Sequence, residues 1–185
     1  MSNVRIKGSV LKSRLAFVQD LAPDGVGRVL ARLPAADQQA LASLLATKWY
    51  PFALGRGLDD AIVAELGGGR SAFFEELGVA SAEKNLTGVH KEFLVVGNPH
   101  AFLERTPMIY SFYYDQGRRE YQKIGPNEAV LTTRDAATFS APDCATVIGW
   151  HRRALEMCGA RAPRVVEEEC RARGGAVCRY RLTWS

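Results

Sequence analysis

No stretch of this sequence stays apolar for long. Its hydrophobic runs are broken by charge or glycine within about ten residues, too short to span a bilayer. The opening segment, MSNVRIKGS, lacks the apolar core of a secretion signal. A membrane span is therefore not expected, and a cytoplasmic location is. Charge of one sign is equally scarce. Lys and Arg number 24 against 20 Asp and Glu, a net charge of +4, and the basic residues are scattered. No Lys/Arg run sits on an aromatic-rich strand, so nucleic acid is not an expected partner. Catalytic signatures are missing as well. Gly-x-Ser-x-Gly does not occur, and Gly67-Gly68-Gly69-Arg70 lacks the Lys-Ser/Thr that completes a phosphate loop. The expectation is a protein that is not an enzyme.

What is present suits a globular chain. Over 185 residues, 47% are hydrophobic and 24% charged, enough for a sizeable core. Val10, Leu11, Leu15 and Val18 recur at helical spacing, and Pro23-Asp24-Gly25 ends that run. A short helix before Pro34 and another after Asp37 follow. Trp49-Tyr50-Pro51 is an aromatic punctuation before a helix carrying Leu54, Leu58, Ile62 and Leu66. Ser71 to Val95 reads as one helix or two, and residues 101–115 as an aromatic-rich helix with Pro107 inside it. Beyond Gly117 the pattern changes. Residues 119–125 and 128–136 read as strands joined through Gly125-Pro126-Asn127. Ser140-Ala141-Pro142-Asp143 opens a helix to Cys158, and residues 162–169 and 176–184 are strands joined at Arg173-Gly174-Gly175. This order predicts an α+β fold: N-terminal helices, then a small antiparallel sheet with packed helices. We expect one domain over 1–185, mainly helical in 1–95 and sheet-containing in 96–185.

The last hairpin carries two of the four cysteines. Cys170 and Cys178 are symmetric about Gly174, so a three-residue turn would set them opposite one another, about 5 Å apart at Cβ. Such a pair can hold a metal or close a disulfide. Reduced cytoplasmic thiols favour a metal or plain burial over a disulfide. A zinc needs two more ligands. Cys144 is a candidate because it opens a helix, where the N-terminal dipole favours thiolate. The run Glu167, Glu168, Glu169 can supply a carboxylate. Strand parity selects Glu168, on the face of Cys170, whereas Glu167 requires a bend or bulge. Cys158 lies about 20 Å along the helix from Cys144 and His151 about 10 Å, so neither can share its metal. Both are expected to lie on a helix face that packs against the sheet.

The C-terminal half resembles the 4-vinyl reductase-type domain, the small-molecule sensor module of phenol- and xylene-responsive bacterial activators. Those sensors place a cysteine at a helix start, then Glu-x-x-Cys, then a further cysteine, around one zinc. Here the matching positions are Cys144, Glu167, Cys170 and Cys178. The resemblance thus selects Glu167 over Glu168 and implies a closed, structural zinc. KGSVLKSRLAFVQDLAPDGVGRVLARLP resembles the opening helices of haem-nitric-oxide-binding domains, which share that fold. KGSVLKSRLAFV, WYP, SAEKNLTGV and ECRARGGAVCRY are similar to stretches of a paralogous family of myxobacterial proteins without an assigned activity. The haem-binding signature Tyr-x-Ser-x-Arg is absent, and neither His90 nor His100 is expected to ligate iron. Haem is therefore not an expected cofactor.

Phe102, Tyr110, Phe112, Tyr113 and Tyr114 form the candidate ligand site. Aromatic walls with few polar tips suit an apolar small molecule or acyl chain. The expected cavity spans a few hundred Å³ between this helix and the strands near Tyr121 and Val130, with His100 as a polar tip. The expected function is small-molecule sensing or regulation without catalysis, with output through a protein partner. The alternative is a structural or adaptor protein acting through a homodimer or partner contacts, without ligand.

Overall fold

The computed structural model of the chain describes residues 4–137 and 139–185. Strand β1 (Arg5–Lys7) leads directly into helix α1 (Gly8–Leu21), followed by α2 (Gly25–Ala31) and α3 (Ala35–Ala42). Strand β2 (Trp49–Pro51) pairs antiparallel with β1, setting Ile6 opposite Tyr50. The aromatic punctuation is thus a strand, and the strand at residues 5–7 had no signal. Three residues are too few for alternation to show. Helix α4 (Phe52–Glu65) follows, then α5 (Phe74–Thr87), with 3-10 turns at Ser71–Phe73 and Lys91–Phe93. Residues 101–115 do not form one helix. They divide between α6 (Pro99–Leu103) and α7 (Thr106–Tyr113), and Pro107 sits in the first turn of α7, where its missing N–H is not needed.

The C-terminal part holds β3 (Arg118–Gly125), β4 (Glu128–Arg134), α8 (Ala141–Met157), β5 (Arg164–Glu169) and β6 (Cys178–Thr183). The four strands form an antiparallel sheet in the order β3-β4-β6-β5. The fold is α+β. One apolar core fills the N-terminal helices around Ile6, Leu11, Leu58, Ile62 and Phe74. A second joins α6, α7 and α8 to the sheet through Phe102, Leu131, Leu155, Tyr180 and Leu182. Helix α8 serves both: Ala145 belongs to the first core, and Cys144 and Trp150 to the second.

Two glycines let α8 and α5 touch backbone to backbone. A Cβ on Gly149 would lie 1.9 Å from Glu75 O, and one on Gly78 would lie 2.3 Å from Thr146 O. No larger residue fits at either crossing point without separating the helices. At the N-terminus of α8, Ser140 Oγ accepts from the Asp143 N–H at 3.2 Å, and Pro142 occupies the first turn. This cap fixes where the side chains of residues 143 and 144 project.

Candidate functional site

Three cysteines and a glutamate meet beside the first turn of α8. Cys144 Sγ lies 3.6 Å from Cys170 Sγ and 3.9 Å from Cys178 Sγ. One donor atom from each of Cys144, Glu167, Cys170 and Cys178 falls within 4.8 Å of the others. A tetrahedral zinc with bonds of about 2.3 Å would set its sulfurs about 3.8 Å apart. The cysteines are free thiols and buried. Glu167 is almost fully buried; its Oε2 pairs with Arg173 at 2.8 Å. Its Oε1 has no hydrogen-bond partner among the described residues. A buried, orphaned carboxylate oxygen beside three thiols is costly unless a cation satisfies it. This donor set could therefore hold a metal ion.

The local electrostatics favour thiolate at Cys178 alone; burial pushes the Cys170 thiol up. The hydrogen bond between Cys144 and Cys178 draws Cys178 down to about 7 and, together with burial, pushes Cys144 upward. The Arg171 N–H donates to Cys178 Sγ at 3.4 Å, a contact that favours thiolate.

Glu167 reaches the cluster because β5 is irregular. Glu167 pairs with Tyr180, but Glu169, not Glu168, pairs with Arg179. One extra residue in β5 shifts parity, so Glu167 and Cys170 share a face. Simple alternation selects Glu168, which instead points outward to Arg181. Glu169 ties the connecting loop: its Oε1 accepts from the N–H groups of Ala176 at 2.8 Å and Val177 at 3.2 Å. The connection is longer than a three-residue turn. Cys170 and Cys178 lie at its two ends, around a 3-10 turn at Arg171–Arg173 and Gly174 with φ 88°. Cys158 is remote from this cluster. It is buried in the core, and its carbonyl accepts from the Gly97 N–H.

A cavity of about 490 Å³ lies among α1, α5, α7 and α8. Tyr110, Phe112, Tyr113 and Tyr114 line it. Phe102 does not; it is fully buried in the core, with its ring 6.0 Å from that of Trp150. The cavity also lies away from Tyr121 and Val130, and β3 contributes Arg119. The sequence reading placed it on the sheet because the aromatic helix precedes the strands. In the fold, α7 turns its aromatic side toward α1 and α5. His100 is likewise spent elsewhere, bonded to Tyr121 Oη and the Pro126 carbonyl, both at 2.7 Å.

The polar residues of this cavity were not foreseen. Arg14 is buried and bridges two carboxylates, with Nε 2.6 Å from Asp59 and Nη2 2.8 Å from Asp143. Tyr114 donates to the same Asp143 oxygen at 2.8 Å. Burial pushes the Asp59 carboxyl upward, and the Arg14 guanidinium beside it pulls it down. The one available signal was a charged residue in the apolar stripe Leu11, Arg14, Leu15, Val18; its partners lie far along the chain. His151 lines the cavity and is therefore not simply part of a sheet-facing stripe. Its Nδ1 bonds the Val147 carbonyl at 2.8 Å, and Nε2 is buried without a partner among the described residues. Burial holds its pKa down at about 3, so the ring is neutral, with the proton on Nδ1. His90 Nε2 is bonded to Tyr113 Oη at 2.6 Å.

Comparison with known proteins fits this architecture. The Fe(II) unliganded H-NOX protein from K. algicida aligns with a TM-score of 0.74 at 10% identity, covering 97% of this chain and 96% of its own. A mutant H-NOX from T. Tengcongensis aligns with a TM-score of 0.72 at 12% identity, covering 97% of each chain. An oxygen-binding H-NOX domain related to soluble guanylate cyclases gives 0.68 at 10%, covering 97% and 95%. At such identities the likeness shows the fold, which is haem-NO-binding-like. No curated protein matches the chain. Residues 70–185 match the family described as "Protein of unknown function (DUF2378)".

Proposed function

The chain belongs to the DUF2378 family, and from that premise we propose that it is a non-enzymatic small-molecule-sensing or regulatory binding domain with a structural zinc. The observation that carries this reading is the buried set Cys144, Glu167, Cys170 and Cys178, next along α8 to a cavity of about 490 Å³. Four protein ligands leave zinc no open position, which suits a structural rather than a catalytic ion. Thiols of this kind stay reduced in the cytoplasm, the location we assign. The two cores share α8, which supports a single domain over residues 1–185.

The cavity suits an apolar small molecule or an acyl chain. Its walls include Val10, Leu77, Ile109, Val147 and Trp150 beside the tyrosines. Haem distortion has been probed in the H-NOX family, but the residues present here do not fit haem. Two propionates need uncommitted cations. Of the cations lining the cavity, Arg14 is already held by two carboxylates, Arg119 lies over the Tyr110 ring and bonds Thr133, and Lys7 lies over the Trp49 ring. Of the three histidines, His100 has both ring nitrogens bonded, His90 has its Nε2 bonded to Tyr113, and Nε2 of His151 is buried without a partner among the described residues.

Native mass spectrometry of protein purified from cells tests the reading. We expect about one zinc per chain and additional mass from a small molecule. Metal-free protein of unchanged stability would overturn the zinc assignment. One feature favours the adaptor alternative, in which partner contacts act without ligand. Val89 and Phe112 line the cavity yet are exposed, as is Met108 on the same helix as Phe112. Such a rim suits a protein partner or a second copy. A dimer with no co-purifying ligand would put that alternative first.

A further inference from the structure

We infer that the metal site and the cavity are thermodynamically linked through the first turn of α8, so that an apolar ligand binds more tightly to the zinc-loaded chain than to the metal-free one. The inference rests on the reading just given, that the first site takes zinc and the second an apolar molecule. It adds a regulatory relation between them.

The link is one of adjacent residues. Asp143 and Cys144 project from the same turn into different sites. The Asp143 carboxylate accepts from Arg14 at 2.8 Å and from Tyr114 at 2.8 Å, and all three residues line the cavity. Cys144 Sγ lies among the metal donors. Ser140 ties the two backbones together: its Oγ accepts from the Asp143 N–H at 3.2 Å, and its carbonyl accepts from the Cys144 N–H at 3.0 Å. A backbone shift at either residue rotates the turn that holds the other. Further along α8, Thr146, Val147, Trp150 and His151 continue the cavity wall. With Asp143 they follow the i, i+3, i+4, i+7, i+8 pattern of one helix face. A metal that pins Cys144 to β5 and β6 therefore pins the start of this wall.

The direction of the effect follows from pre-organisation. Without metal, three thiols and an orphaned carboxylate oxygen add little restraint on the first turn beyond the Ser140 cap. With metal, Asp143 is held where it orders Arg14 and Tyr114 before any ligand arrives. A ligand then pays less ordering entropy. By reciprocity, an occupied cavity must tighten zinc binding by the same factor.

The test uses the full chain and the neutral apolar fluorophore N-phenyl-1-naphthylamine as probe. Its dissociation constant is measured for zinc-loaded protein and for protein stripped with a chelator. We expect binding about fivefold or more tighter in the loaded form, and a matching gain in zinc affinity with probe present. Tyr114→Phe removes one hydrogen bond to Asp143 and should bring the ratio of the two constants closer to one. If stripping melts the helices by circular dichroism, the comparison moves to the loaded protein. Zinc transfer to a chromophoric chelator should then be severalfold slower with saturating probe, and an unchanged rate would overturn the link. A chain that takes up zinc and probe with a ratio of one also overturns the link and leaves the functional reading standing. A chain that takes up no zinc, or no probe, overturns both.

Discussion

The two sites served by α8 are built in opposite ways. The metal cluster draws its donors from residues 144–178, a helix start and the hairpin that follows it. The cavity draws its lining from residues 7–151, on helices that meet only when the whole chain is folded. The first concentrates polar donors in a small buried volume. The second spreads an apolar wall around one buried ion triad. A site of the first kind depends on local chain geometry. A site of the second kind depends on how the N-terminal helices dock against α8. Losses of stability and of metal content should therefore separate, although the two sites share the first turn of α8.

The largest expected effect comes from the docking triad. Arg14→Ala leaves Asp59 and Asp143 buried without their cation. Breaking a buried pair in this way costs about 3–5 kcal/mol. In a chain of this size that corresponds to a fall in Tm of roughly 6–20 °C. Zinc stoichiometry in the remaining folded fraction should not change, because none of the donors lies in the N-terminal part. A loss below about 1 kcal/mol in urea denaturation would show that the triad does not hold the two cores together.

Next comes the cluster itself. Cys178→Ser should lower zinc content and stability together, by about 3 kcal/mol. The contrary result is a wild-type chain that is metal-free and two hydrogens lighter than expected, with Cys170 and Cys178 joined as a disulfide.

This contrast also explains what could be read in the sequence. The antiparallel hairpin, the helix after Asp143 and the α+β order follow from periodicity and turn residues close together in the chain. The cysteines of the cluster follow from symmetry about Gly174 and from the helix start at Cys144. Glu167 does not. Alternation selects Glu168, and only the resemblance to a zinc-binding sensor pattern selected Glu167. The bulge in β5 is the physical reason, and no residue in the run Glu167-Glu168-Glu169 announces it. The cavity was legible only as a set of aromatic residues. Phe102 shares their chemistry but turns into the core, and the partners of Arg14 lie 45 and 129 residues away along the chain. The short β1–β2 ladder is invisible because three residues carry no period.

His151 offers a smaller effect that marks the cavity end alone. Burial holds its folded pKa at about 3, whereas in the unfolded chain it is about 6.5. A depressed pKa contributes stability above the unfolded value and loses it as pH falls toward the folded one, here between about 6.5 and 3. Between pH 7 and pH 5 this group should cost the wild type about 2 kcal/mol. His151→Gln abolishes that contribution. The stability gap between wild type and variant should therefore narrow by about 2 kcal/mol over the same interval. Urea denaturation at the two pH values measures it. A constant gap would mean that the ring is not held neutral in the cavity wall.

The smallest effect is expected one residue from a metal donor. Glu168 lies between Glu167 and Glu169 but pairs with Arg181 on the outer face of β5. Exposed pairs of this kind contribute little, so Glu168→Gln should change stability by no more than about 0.5 kcal/mol and leave zinc content intact. Glu167→Gln keeps the side-chain shape but removes the charge facing the three thiols. It should weaken zinc binding by about tenfold or more in a chelator competition. Glu169→Gln retains an oxygen able to accept from the Ala176 and Val177 N–H groups, so its effect should fall between the two. The three consecutive glutamates thus read out the register of one strand. If Glu168→Gln sheds the metal and Glu167→Gln keeps it, β5 carries no bulge before Cys170, and the donor set must be redrawn with Glu168 in it.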